Sequence, residues 1–468
     1  MIESSRAQHA RQFAWGRMPS ERELRRRAEI PAGTKEPSAL TAMLGSSAPD
    51  IWDDGASTGV DIYMSAGPRG TNYGAADFRT CGHLNTATCS LHRIRMNLLT
   101  GRVVEWTVVS PAVGGGFSCV DEGNGLPGYY GTTEPALSPE GRLVATRRCH
   151  RADASAISAS IQVWDNDGTA GPSVYWGGGT QTPQYGNWLT DDVVLYNRHG
   201  SSGSSVWAVG SWPDFTTTPA PMLGPGALSA GSLNSFQDPN VSHNAVDAVG
   251  TEPRIVTFGG VGGELIPRVV GMLGEREHAF DLPQHLGGAD FTQCHHPAWR
   301  PDGEQILCTR IQKPETMDEV YSMSRLYGFT YDGASLWNDP SALVEFLSPE
   351  DFNSIFPWPT TAPKGLFPPR DESALEGTCA GYVWKYAEWC GSERFLIATV
   401  FCTDATEGVP AFRALASRVV LIDLHADTAA TAAYTDLTAI IERLEHAEPG
   451  SYDGVFATCG AAATRKGA

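Results

Sequence analysis

The hydrophobic positions of this chain come in many short stretches, each bounded by turn-forming residues. One example is LHRIRMNLLTGRVVEWTVV at 91–109, in which two apolar runs flank the Thr100-Gly101 turn. Runs of this length, rich in β-branched and aromatic residues, are typical of β-strands. Similar pairs recur from about residue 60 to residue 440, and a short helix is predicted at 438–446. The pattern predicts an all-β chain built from hairpins.

One hairpin phrase occurs twice. Residues 135–147 read PALSPEGRLVATR and residues 297–310 read PAWRPDGEQILCTR. In each copy a Pro-acid-Gly turn separates two strands, and Gly141 or Gly303 can take the positive φ that such a turn needs. Recurrence of one hairpin through a long all-β chain indicates radial repetition.

The spacing of these hairpins indicates the number of repeats. Hairpins begin at 135, 183, about 239, 297 and 385, and the unit at 61–109 makes six. Each unit carries three or four strands, which is the content of one propeller blade. We therefore predict a β-propeller of six blades, with seven as the alternative, and a pair of β-sandwiches remains the competing fold. The predicted domain spans 51–459, after an irregular leader and linker at 1–50 and before a tail at 460–468.

The phrase resembles the blade motif P-x-W-S-P-D-G-x-x-I/L-A of TolB-like propellers, which are WD40-like (PD40) repeats. The match is close at 297–308 and good at 135–145, and only the strand pattern is retained elsewhere. The resemblance implies a propeller scaffold. Related propellers include non-catalytic domains of prolyl-oligopeptidase-like enzymes and bodies of oligosaccharide lyases, so the motif specifies fold more than function.

Net charge and cysteine content limit the kinds of binding partner and the cellular compartment that are expected. The formal net charge of -19 disfavours a nucleic-acid surface, because phosphate binding needs Lys and Arg. No stretch reaches the roughly 20 apolar residues of a membrane span. Ten cysteines without a CxxC motif favour disulfides in an oxidising compartment. We expect a periplasmic or extracellular monomer, although the arginine-rich residues 1–30 do not have the pattern of a signal peptide.

Propeller geometry suggests which cysteines pair. Residues just before the first strand of a blade and just after its second strand lie close together at one face. We predict five disulfides, with free buried thiols as the alternative: Cys81–Cys89, Cys119–Cys149, Cys294–Cys308, Cys379–Cys402 and Cys390–Cys459. The last would fasten the tail to the final blade.

The same face carries the long insertions, at about 114–133, 311–323, 349–384 and 403–416, and is therefore rich in loops. Histidines at this face are the candidate binding residues. The candidates for binding are His83, His150, Gln293, His295 and His296. The Gln293-x-His295-His296 cluster, placed just before a first strand, resembles the His/Gln metal site of oligogalacturonate-lyase-like propellers. Structural hydrogen bonding beside a disulfide is the alternative, and no metal ligand or catalytic residue is assigned. No cofactor is predicted, and a divalent metal belongs only to the enzymatic alternative.

Motifs of common enzyme classes do not occur. The chain has no GxSxG, HExxH, Walker A or Rossmann fingerprint. The predicted function is therefore binding of a protein or glycan through the loop-rich, disulfide-braced face. The alternative is a metal-assisted polysaccharide lyase or glycoside hydrolase that acts at the channel mouth near His295 and His296.

Overall fold

The computed structural model describes most of the predicted strands. The described residues are 59–68, 89–111, 113–118, 127–138, 140–151, 157–165, 170–175, 182–199, 205–211, 237–242, 254–261, 264–271, 277–279, 291–312, 324–331, 337–345, 347–356, 381–403 and 414–460. The predicted leader at 1–50 and most of the predicted tail at 460–468 lie outside them.

The described residues are almost entirely β-structure. The strands of the first half are β1 (Val60–Pro68), β2 (Ser90–Asn97), β3 (Arg102–Ser110), β4 (Val113–Ser118), β5 (Pro127–Leu137), β6 (Leu143–Arg151), β7 (Ile157–Trp164), β8 (Ala170–Tyr175), β9 (Thr182–Thr190), β10 (Val193–His199) and β11 (Ser205–Ser211). Those of the second half are β12 (Gln237–Ser242), β13 (Arg254–Val261), β14 (Glu264–Gly271), β15 (Glu277–Ala279), β16 (Phe291–Trp299), β17 (Gln305–Gln312), β18 (Ser324–Tyr331), β19 (Trp337–Ala342), β20 (Gly381–Cys390), β21 (Ser392–Thr403), β22 (Ala414–Asp423), β23 (Tyr434–Asp436) and β24 (Tyr452–Cys459). The helices are α1 (Pro349–Ile355), α2 (Leu437–Leu444) and a 3₁₀ turn at Thr431–Ala433.

Hydrogen bonding groups the described strands into antiparallel sheets that follow one another around a central axis. In order, the sheets are β24-β1-β2-β3, β4-β5-β6-β7-β8, β9-β10-β11, β12-β13-β14-β15, β16-β17-β18-β19 and β20-β21-β22-β23. Each sheet packs against the next through the strands nearest the axis, and the last sheet packs against the first through β24. This closed ring of sheets is a β-propeller.

The blades are less regular than the sequence predicts. Four sheets have the four strands of a regular blade, whereas the β9–β11 sheet has three described strands and the β4–β8 sheet has five. The prediction of six blades, with seven as the alternative, is therefore corrected to four regular blades among the described residues. The physical reason is that hairpin spacing counts turns, and does not show how many strands pair around each turn.

The ring closes through its two chain ends. Strand β24 pairs with β1 in antiparallel register, from Ile62 opposite Cys459 to Pro68 opposite Tyr452. The C-terminal strand thus supplies the innermost strand of the first sheet. This segment falls inside the predicted domain 51–459, but the local pattern does not predict its pairing, because its partner strand begins almost 400 residues earlier along the chain.

A disulfide fastens the closure. Cys390, at the end of β20, bonds to Cys459, at the end of β24, as the sequence predicted. Cys89 and Cys308 are also disulfide-bonded. Their predicted partners Cys81 and Cys294, and the predicted pairs Cys119–Cys149 and Cys379–Cys402, depend on residues or side chains outside the described part of the chain.

The two repeated turns have the predicted backbone. Gly141 and Gly303 have φ of 89° and 79°. The backbone amide of Gly141 donates to the carbonyl oxygen of Ser138, and that of Gly303 donates to the carbonyl oxygen of Arg300, each at 2.9 Å. The structure therefore confirms the turn geometry that the Pro-acid-Gly phrase predicts.

The core lies between neighbouring sheets rather than at the axis. One large cluster joins the β16–β19 and β20–β23 sheets through side chains such as Leu307, Trp384 and Leu396, and Phe352 of α1 packs into it. Helix α2, predicted at 438–446, packs Leu437 and Ile441 into the cluster between the last sheet and the first. The side chain of Asp436 caps α2, because it accepts the Ala439 amide at 2.9 Å. Apolar burial between blades leaves the axis free for other side chains.

Candidate functional site

The strands nearest the axis share an irregularity. Glu134 on β5, His296 on β16, Tyr386 on β20 and Phe456 on β24 have φ of 55°, 47°, 50° and 52°. In each strand the pairing register shifts at this point. Such bulges redirect a side chain that would otherwise face a neighbouring sheet.

The four bulged residues converge on one cavity, which we call the channel cavity. Its volume is about 70 Å³, enough for several water molecules. It is lined by Glu134, Pro135, Ala136, Gly186, Asn187, His296, Pro297, Ala298, Tyr386, Ala387, Glu388, Phe456 and Ala457. A left-handed backbone costs a non-glycine residue about 1–2 kcal/mol, so the propeller maintains this convergence against local strain.

Aromatic rings form one side of the lining. The ring centroid of Tyr386 lies 4.2 Å from that of His296 and 4.0 Å from that of Phe456. Phe401 approaches Tyr386 edge-on at 6.3 Å. Because His296 and Phe456 are almost fully buried, these contacts fix the rings in place.

Two basic groups near the cavity are perturbed by burial. Burial lowers the pKa of His296 well below its ordinary value, and the charge of Lys385 lowers it further. The imidazole is therefore neutral at physiological pH. Lys385 is 4% exposed, and burial lowers its pKa to about 7.

A carboxyl group on the same strand shows the opposite shift. Glu388 borders the cavity and is half-buried, and its partial burial raises its pKa to about 7. Thr458 of β24 donates its hydroxyl to Glu388 at 2.8 Å, which partly offsets that rise. The Cys390–Cys459 disulfide lies just beyond this hydrogen bond on both strands. The closure of the ring and the position of this carboxyl are therefore coupled.

Buried hydroxyl groups surround the bulges at matching positions. Ser65, Thr146, Thr309 and Thr399 are all 0% exposed. Each lies opposite the residue that precedes a bulged residue. Their hydroxyls have no hydrogen-bond partner among the described residues. Buried hydroxyls of this kind are commonly satisfied by internal water.

The structure brings one of the predicted binding residues into the cavity. His296 lies inside strand β16, not before it as the sequence predicted, because β16 begins at Phe291. Gln293 and His295 belong to the same strand and His150 belongs to β6. Their side chains, and His83 altogether, lie outside the described part. Whether these residues bind a ligand stays a prediction.

The sequence reasoning missed the other cavity residues. Glu134 and His296 each directly precede the repeated Pro-Ala, and Tyr386 precedes Ala387 at the equivalent place. Alignment of the blades one residue before the phrase would have identified this position. Among the described residues there is no cluster of three metal-ligating side chains. None of the described helices is long and apolar enough to cross a membrane.

Comparison with known proteins shows only distant similarity. No family model matches the chain, and no curated protein matches it. Among solved structures, hydrazine synthase of Kuenenia stuttgartiensis is 10% identical with a TM-score of 0.42, covering 86% of this chain and 47% of that one. The chain thus spans about half the length of that protein.

Two other solved structures are similarly remote. A puromycin-hydrolysing peptidase of Mycobacterium tuberculosis is 13% identical with a TM-score of 0.37, over 83% of this chain and 47% of that one. The PQQ-bound aldose sugar dehydrogenase of Streptomyces coelicolor is 13% identical with a TM-score of 0.36, over 72% and 88%. The assignment of the chain as a β-propeller therefore rests on its own ring of sheets.

Proposed function

We propose that this protein is a binding propeller that takes a polar group of a protein or glycan ligand into the channel cavity. The observation that supports this proposal is the convergence of Glu134, His296 and Tyr386 on one cavity through strained backbone. Strain of this kind is concentrated at functional sites. The cavity has the aromatic walls and few polar groups that line small-ligand sites, and its volume of about 70 Å³ suits one end group of a ligand.

The ligand would approach from the loop-rich face. On this proposal the loops contact the body of the ligand and the channel cavity receives one terminal group. The disulfide at the ring closure and the two further disulfide-bonded cysteines favour an exported, periplasmic or extracellular setting. We also propose that the three-stranded and five-stranded sheets act as the two remaining blades of a TolB-like propeller.

Array binding tests the proposal. The purified full-length chain is applied to glycan and peptide arrays, and hits are measured by titration calorimetry. We expect His296→Asn to weaken binding at least tenfold, since Asn tolerates positive φ but lacks the imidazole. Leu99→Ser is the matched control, because Leu99 is 71% exposed in an outer hairpin. Ligands that bind both variants as tightly as the unaltered protein would contradict a channel site.

The enzymatic alternative has one observation in its favour. Glu388, with a pKa raised to about 7, and His296, with a lowered pKa, border the same cavity. Displaced pKa values of this kind suit general acid–base chemistry. Incubation with oligogalacturonate and with nitrophenyl glycosides, with and without added divalent metal, tests it. Turnover that is lost in Glu388→Gln would favour a lyase or hydrolase over a binding protein.

A further inference from the structure

The polar lining of the channel cavity is acidic rather than basic. Glu134 and Glu388 line it, and no Lys or Arg is among the described residues that do. His296 is neutral because burial and the nearby Lys385 lower its pKa. The remaining polar side chains of the lining, Asn187 and Tyr386, carry no positive charge at neutral pH.

The carboxyl of Glu388 is strongly affected by its surroundings. Burial raises its pKa, and only the Thr458 hydroxyl opposes this effect. No described cationic side chain therefore offsets the burial of this carboxylate. A cation placed in the cavity would do so, because opposite charges attract more strongly in a site that is partly shielded from water than in bulk water.

The aromatic residues of the lining also favour a cationic group. Tyr386 and Phe456 are in mutual contact, and both border the cavity. Aromatic rings attract ammonium and guanidinium groups through their electron-rich faces.

We propose that the channel cavity selects a cationic group, a primary ammonium or a guanidinium, as the part of the ligand that enters it. This inference rests on the proposed binding function and names the chemical class of the bound group. Glu388 would carry the counter-charge, with Glu134 beside the same cavity. The aromatic pair of Tyr386 and Phe456 would contact the apolar stem of the guest.

The proposal implies that binding depends on pH. Below pH 7 Glu388 is largely protonated, so a cation must displace a proton in order to bind. Lys385, which is close enough to affect the pKa of His296, becomes protonated in the same range and repels a cation. Both effects have the same sign. The fraction of ionised Glu388 falls about tenfold between pH 8 and pH 6, and the apparent affinity should fall about tenfold with it.

Small probes of similar size but different charge test the proposal by titration calorimetry on the full chain. The probes are N-acetyl-arginine amide, its neutral isostere N-acetyl-citrulline amide, N-acetyl-lysine amide and N-acetyl-glutamate amide. We expect arginine or lysine amide to bind at pH 8 at least tenfold more tightly than the citrulline and glutamate amides. A preference for the neutral or anionic probes, or no binding of any probe, would overturn the inference.

Two variants locate the effect. Glu388→Gln keeps an acceptor for Thr458 but cannot ionise, so it should weaken the cationic probe at least tenfold and reduce the pH dependence. Lys385→Met removes the nearby positive charge, and should preserve binding and strengthen it at pH 6. Unchanged affinity in Glu388→Gln would refute the role of this carboxyl. If an array ligand no longer binds to His296→Asn and none of the cationic probes binds to the unaltered protein, the binding function is supported and only the cationic group is rejected.

Discussion

The disulfide between Cys390 and Cys459 should contribute strongly to the stability of the propeller. It joins the end of β20 to the end of β24, and β24 closes the ring by pairing with β1. Without the bridge, the last strand is held by pairing and packing alone. We therefore expect that Cys390→Ser with Cys459→Ser makes release of β24 the first step of unfolding.

The size of the effect follows from the length of the closed loop. The two cysteines are 69 residues apart. The entropy that such a cross-link removes from the unfolded chain corresponds to about 4 kcal/mol at 25 °C. The hydrogen bond from Thr458 to Glu388 remains in the variant, and a bond of that kind contributes only about 1 kcal/mol. It cannot replace the disulfide.

Urea unfolding followed by tryptophan fluorescence measures the change. The double serine variant is used instead of a reducing agent, because Cys89 and Cys308 are also disulfide-bonded. Leu99→Ser, at an exposed outer position, is the control and should shift stability by less than about 0.5 kcal/mol. A double variant within that same margin would refute the reasoning, since it would show that strand pairing alone secures the ring.

Three further predictions concern the residues around the channel. Thr399→Val should leave stability unchanged or raise it by up to about 1 kcal/mol, because the Thr399 hydroxyl has no partner among the described residues. The control is Thr438, which is equally buried and whose hydroxyl accepts the Val419 amide at 2.8 Å. Thr438→Val should lower the free energy of unfolding by about 1–3 kcal/mol in the same urea assay. Burial raises the pKa of Glu388 from 4.5 to about 7, because the folded protein favours the protonated carboxyl. The contribution of this group to the free energy of unfolding is therefore highest below pH 4.5 and falls as the pH rises to 7. Glu388→Gln should therefore gain about 3 kcal/mol relative to the unaltered protein between pH 4 and pH 8, and parallel stability curves would contradict this. At His296, with φ of 47°, substitution by Val should be less stable than substitution by Asn by about 1–2 kcal/mol in thermal unfolding; equal melting temperatures would argue against strain.

Local features of the fold were accessible from the sequence. The Pro-acid-Gly phrase predicts positive φ at Gly141 and Gly303, and both have it. The apolar periodicity of 438–446 predicts a helix, and α2 occupies Leu437–Leu444. Turn chemistry and helix periodicity depend on neighbours along the chain, so one sequence is enough to find them.

The candidate site was much less accessible. His296 was selected for the wrong reason, as a residue before a strand, and lies in the channel because of a bulge inside β16. Glu134 and Tyr386 were not selected, because neither stands in a motif that carries chemistry by itself. Their role depends on a shift in pairing register, which is set by the partner strand.

What the sequence by itself determined was the kind of element and the scaffold: an all-β chain, hairpins with glycine turns, a propeller, and the one disulfide at its closure. Only the tertiary structure decided which blades are regular, that the last strand completes the first sheet, and that acids, aromatic rings and a neutral histidine meet at the axis. The reason is physical. Strands and turns form through interactions between near neighbours, whereas the channel exists only when strands from opposite ends of the chain are held around one axis.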